Sequence, residues 1–200
     1  GLGNDGNEFK IISQVFLYKF LNDKYTFEFK QLRAERPDED IDFINMEIEG
    51  KTAILKPEHL LKNLHAEQNN ADFAKRYDDT LMDIAAQNAD IFSVKTEGGA
   101  KIVLFERISN YIADENRRDE FCRALVSKLT DFSFEEIFAQ KFDFFATIFE
   151  YLIKDYNSNS GGKYAEYYTP HAVARIMADI LVPQNERGTI KSVDVYDPSA

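Results

Sequence analysis

Two hundred residues are enough to bury a substantial core, as one large domain or two small ones. With 44% hydrophobic and 30% charged residues the composition is that of an ordinary globular protein, and no apolar run nears the ~20 residues that a bilayer crossing needs. The formal net charge of −11, from 24 Lys and Arg against 35 Asp and Glu, argues against a stand-alone binder of DNA phosphates.

After a lead-in at residues 1–6, residues 8–29 carry Ile11, Ile12, Val15, Phe16, Phe20 and Leu21 at three- and four-residue spacing, which predicts a helix. Leu17 and Tyr18 give it a second apolar side, so it should pack against more than one neighbour. Residues 33–42 read as a charged connector. Residues 43–55 read as a hairpin, with Ile44, Met46 and Ile48 alternating and Glu49-Gly50 at the turn. Pro57 opens a short helix that runs through Leu64, and residues 67–70 form a polar link.

Helical patterns follow at 71–88, 100–113 and 115–129, the first two separated by Gly98-Gly99. The strongest lies at 133–156. Ser133 and Glu136 have capping-box spacing there, and Glu135 and Glu136 place negative charge at the positive end of the helix dipole. Ile137, Phe138, Phe142, Phe144, Phe145, Ile148, Phe149 and Leu152 fill most of the circumference, the pattern of a central, buried helix.

At residues 157–162, Asn-Ser-Asn-Ser-Gly-Gly, the composition turns small and polar, marking a domain boundary or a loop that is mobile without a ligand. Three tyrosines follow within five residues, then Thr169-Pro170-His171. Thr169 is a good N-cap and Pro170 suits the first helical position. Val173, Ile176, Met177, Ile180 and Leu181 then form one apolar stripe. Pro183 stops the helix, Gly188 falls in a turn, and residues 192–196 read as a strand that runs into Asp197-Pro198-Ser199-Ala200. A helix, a link and such a strand open an α/β unit, where nucleotide-like ligands sit at the carboxyl end of the first strand.

These residues carry a specific resemblance. Glu166-Tyr167-Tyr168-Thr169-Pro170, an apolar helix and then Val195-Tyr196-Asp197-Pro198-Ser199-Ala200 resemble the modification subunit of type I restriction–modification systems. Residues 15–25 resemble that family's opening helix, and residues 149–153 the segment before its Thr-Pro turn. Members are S-adenosylmethionine-dependent, adenine-specific DNA methyltransferases. The resemblance implies a mainly α fold: a helical N-terminal domain at 1–160, then at 161–200 the first helix and strand of a truncated Rossmann-like α/β methyltransferase domain.

It implies cofactor binding by Glu166, Tyr167, Tyr168, Thr169, Pro170, His171, Asp197, Ser199 and Ala200. Amides of the turn would meet the cofactor carboxylate, and Tyr167 or Tyr168 would form an apolar wall. Asp197 would shape its turn or take the cofactor amino group. His171 departs from the family pattern, which often has arginine there. The family's Asn/Asp-Pro-Pro-Tyr/Phe segment, which grips a flipped adenine, does not occur in these residues. No catalytic residue is therefore assigned: catalysis is expected downstream, and this stretch alone should bind S-adenosylmethionine weakly or not at all. The implied partners are a specificity subunit, a restriction subunit, a second modification subunit and DNA, with no membrane. The alternative is a helical assembly module that docks a specificity subunit or DNA without catalysis.

Elsewhere the expectations are bland. His59 and His65 read as solvated surface residues, and Cys122 as a small buried apolar group. One cysteine allows no internal disulfide, which fits a cytoplasmic location, and the scattered histidines argue against a metal site. Asp42, Glu47 and Glu49 form no convincing acid–base pair. Arg117-Arg118, Arg123 and Lys75-Arg76 are the candidate basic contacts.

Overall fold

The computed structural model describes residues 6–49, 51–92, 104–139, 147–148, 169, 171–190 and 196, with the side chains of residues 6, 7, 91, 92 and 171 left aside. The described residues are mainly helical and contain no strand.

Helix α1 spans Gly6–Glu35 and is the longest of the described elements. Its Ile11, Tyr18, Leu21, Tyr25 and Leu32 are buried at helical spacing, which makes it the spine of the core. The charged connector shrinks to residues 36–40, because the helix continues well beyond the periodic stretch.

Helix α2, Ile41–Glu49, stands where a hairpin was expected. The alternation of Ile44, Met46 and Ile48 misleads: Ile44 and Ile48 are buried one turn apart, while Met46 is 69% exposed. Asp40 supplies the start signal, its Oδ1 accepting the Asp42 amide at 2.8 Å. Helical capping and i, i+4 burial outweigh the period-two pattern.

Residues Pro57–His59 form a 3₁₀ turn, followed by α3, Leu61–Ala66, in place of one continuous helix. Helix α4, Phe73–Gln87, buries Phe73, Tyr77, Leu81 and Ile84 on one side, and the short α5, Ala89–Phe92, follows. The helix expected at 100–113 is not formed by its described part. Residues 104–107 are irregular and Ile108–Tyr111 make a 3₁₀ turn. There Phe105 and Ile108 plug the core as single anchors, and Asp78 of α4 takes both the Ser109 amide (3.2 Å) and its hydroxyl (2.6 Å).

Helix α6, Arg118–Thr130, buries Cys122, Val126 and Leu129 and packs on α3 and α4. Helix α7, Glu135–Phe138, lies on α1, with Phe138 edge-on to Phe20 at 5.4 Å between ring centres. Ser133 Oγ accepts from the Glu135 amide at 3.2 Å, a shorter turn than the capping box expected with Glu136. Of the phenylalanine-rich helix expected through residue 156, only Thr147 and Ile148 are described beyond this point, both helical. The loop at 157–162 lies outside the described residues.

Buried polar groups tie the pieces together. The Asn22 side-chain oxygen accepts the Leu61 amide at 2.9 Å, and Asn88 brackets Ile54, accepting its amide at 2.8 Å and donating to its carbonyl at 3.0 Å. Lys19 and Asp23 pair at 3.0 Å, both side chains almost fully buried, and Asp23 also accepts the Phe134 amide at 2.8 Å. Lys19 further lies 4.8 Å from the centre of the Phe132 ring. A buried pair satisfied on both sides holds α1 to the approach of α7.

Candidate functional site

Helix α8, His171–Leu181, is the element on which the expected cofactor turn depends. Its apolar stripe forms as read and no described residue covers it: Val173, Ile176 and Met177 are 46%, 59% and 52% exposed, and Ile180 and Leu181 more so. The C-terminal end is closed by a device that the sequence did not announce. Arg187 reaches back to donate to the carbonyls of Val182 and Asp179, each at 3.2 Å, and pairs with the Asp179 carboxylate at 2.9 Å. A cation there answers the negative end of the helix dipole. Gly188 has φ +90°, which a glycine adopts freely and which the turn after the helix requires.

Thr169 is exposed and irregular, two residues before the helix, and His171 is its first residue. The first turn of α8 carries no acidic side chain, so its positive end is not neutralised from within and suits an anionic group such as a carboxylate. Glu166, Tyr167, Tyr168, Pro170, Asp197, Ser199 and Ala200 lie outside the described residues. So does most of the expected strand, whose one described residue, Tyr196, is exposed and irregular.

The helical part holds one titratable cluster that sequence reading missed. His59 is buried, contrary to the solvated position expected for it. Its Nδ1 accepts the Lys56 amide at 3.2 Å, and its Nε2 lies 2.7 Å from Asp83 Oδ2, which also receives Lys56 Nζ at 2.7 Å. The Lys56 amide can only donate, so the neutral ring carries its proton on Nε2. Burial holds the His59 pKa below the ordinary histidine value against the opposing pull of Asp83, whose own pKa is lowered first by Lys56 and then by His59. Both ring nitrogens are occupied, leaving none to move a substrate proton. The cluster resembles a catalytic dyad in composition but serves as a clamp. A spacing of Lys-x-x-His ahead of a helix was the only available sequence signal.

A polar cavity of about 290 Å³ lies between the start of α4, residues 107–110 and the start of α6. Its charges are largely spent on each other: Asp119 caps the Ala74 amide at 2.8 Å, Arg118 meets Glu115 at 3.2 Å, and Arg107 meets Asp79 at 2.7 Å. Among the described residues no group of three or more His, Cys, Asp or Glu is placed to hold a metal ion, and no helix is long and apolar enough to cross a membrane.

The basic candidates are mostly engaged too. Arg123 holds the carbonyls of Gln68 and Asn70 and the Asp119 carboxylate, and Arg76 pairs with Glu67 at 3.1 Å. Arg117 and Lys75 are exposed. Asp42, Glu47 and Glu49 sit on α2, where Glu47 is tied to Arg36 at 2.8 Å.

Residues 140–200 match the family model described as N-6 DNA Methylase. The match takes in the Thr-Pro turn, α8 and the terminal Asp-Pro, and it supports an N6-adenine DNA methyltransferase family, one that typically uses S-adenosylmethionine. No solved structure matches the chain.

Proposed function

We propose that this chain is the N-terminal part of the modification subunit of a type I restriction–modification DNA methyltransferase. That protein transfers a methyl group from S-adenosylmethionine to the exocyclic amino group of adenine. One observation carries the reading: the order Tyr-Thr-Pro, apolar helix, Val-Tyr-Asp-Pro-Ser-Ala falls inside the segment that matches the N-6 DNA methylase model.

Residues 1–160 then form a helical domain that meets DNA and other subunits, and residues 161–200 open a Rossmann-like methyltransferase domain. Thr169, His171 and their neighbours Glu166, Tyr167, Tyr168 and Pro170 form one side of the cofactor site, and Asp197, Ser199 and Ala200 begin the other. The N-terminus of α8, with no acidic residue in its first turn, favours the cofactor carboxylate at the first side, and a tyrosine ring beside it excludes water from the adenosine or methionine chain. The exposed stripe on α8 is explained if a parallel sheet covers it. Adenine itself must be held by an Asn/Asp-Pro-Pro-Tyr/Phe segment, which these residues lack, so the amino group is gripped from outside them. A specificity subunit reads the DNA sequence, and a second modification subunit and a restriction subunit complete the assembly.

A cofactor titration tests this. Calorimetry of the 200-residue chain should show S-adenosylmethionine bound on the order of a hundredfold more weakly than by the chain extended through its reading frame, since a one-sided pocket forfeits about three contacts of ~1 kcal/mol each. Equal affinity of the two proteins would refute the division of the site.

A further inference from the structure

Helix α2 carries a face that no other described element covers. Phe43 and Met46 stand three residues apart, hence on one side of the helix, and are 63% and 69% exposed. The opposite side is fixed, with Ile44 and Ile48 in the core and Tyr25 donating to Asn45 at 2.9 Å, and at one edge Arg36 holds Glu47 at 2.8 Å. The two exposed apolar side chains are thus presented on a rigid support.

Acidic residues frame them. At about 100° per residue, Asp42 and Glu49 fall along one edge and Glu47 along the other, with Asp38 and Asp40 just before the helix. Asp38, Asp42 and Glu49 form no ion pair among the described residues, so their charge is available. A phosphate backbone or an anionic lipid surface is repelled by this rim. Two copies of the chain meeting face to face would oppose like charges.

We propose that the Phe43–Met46 face is the docking surface for a basic amphipathic helix of a partner protein. Apolar residues of that helix cover Phe43 and Met46, while lysines or arginines on its flank meet Asp42 and Glu49. Apolar contact carries affinity and the acidic rim sets orientation and on-rate. Neither the fold of α2 nor its charge depends on the methyltransferase reading.

The test uses the whole 200-residue chain and a labelled Leu/Lys peptide of about five turns that is apolar on one side when helical. A scrambled peptide of the same composition is the comparison. Fluorescence anisotropy should show the amphipathic peptide bound at least ~10-fold more tightly, with Phe43→Ser/Met46→Ser removing about that factor. Asp42→Asn/Glu49→Gln should weaken binding and flatten its salt dependence. All four positions are on the surface, and an unchanged thermal melt confirms that each variant is folded. Equal binding of both peptides, no binding of either, or indifference to Phe43→Ser/Met46→Ser overturns the proposal. So does a dimer seen by sedimentation that Phe43→Ser/Met46→Ser abolishes, which would give the face to a second copy.

Discussion

His59 shows how little a residue's identity reveals without its neighbours. In sequence it is a histidine after a proline turn, with nothing to mark it as buried. In the fold its carbonyl receives the Tyr18 hydroxyl at 2.6 Å, its Nδ1 closes the Lys56 turn, and its Nε2 meets Asp83. A proton added to Nδ1 would face the Lys56 amide and break that bond, so the fold prefers the neutral ring. Its folded pKa is lowered, chiefly by burial. The unfolded chain, with an ordinary value of about 6.5, therefore takes up the proton first as pH falls. The stability from His59 is present above about pH 6.5 and is lost below it, down to the folded value. Thermal melts from pH 8 to 5 should show a decline that His59→Asn largely removes, because an amide oxygen can accept from Lys56 but does not titrate. The same variant should cost about 1 kcal/mol at pH 8 through the lost Asp83 bond. Parallel pH profiles for both proteins would contradict this account.

Among the elements, those with apolar residues one turn apart were legible. Helices α1, α4, α6 and α8 appear where Leu, Ile, Val and Phe recur at that interval. Helix α2 was misread because Ile44, Met46 and Ile48 also satisfy a two-residue period, and only the Asp40 cap decides between the two. Residues 104–112 were misread because Phe105 and Ile108 are isolated anchors, and their spacing is helical without a helix. The start of α4 could not be read at all. Asp72 precedes it with φ 56°, in the left-handed region, and gives no side-chain cap. The cap arrives from α6, as Asp119 accepts the Ala74 amide. Asp119→Ala should therefore cost about 1–2 kcal/mol in urea unfolding, whereas Asp72→Gly should be neutral or slightly stabilising because glycine relieves the backbone. A penalty for Asp119→Ala no larger than that for Asp72→Gly would place the cap elsewhere.

At the scale of the whole molecule, two differently built regions meet the eye. Among the described residues, helices α1 to α4 and α6 enclose one core crossed by buried polar ties, while the apolar stripe of α8 is exposed. The helical region was readable as helical, but its connections were not, since Asn22, Asn88 and Asp119 act across dozens of residues. Of the candidate cofactor site, the sequence shows the order of motifs, and the structure adds a helix α8 with no acidic residue in its first turn and the exposed Thr169. Residues 140–200, which match the N-6 DNA methylase model, contain those motifs. Adenine methylation is the central claim, and labelled methyl transfer tests it most directly. The chain extended through its reading frame, mixed with a specificity partner and S-adenosylmethionine, should place label on the N6 position of adenine in unmodified DNA. The 200 residues alone should place none. Label recovered on cytosine, or no transfer by an extended protein that binds both cofactor and DNA, would contradict the account.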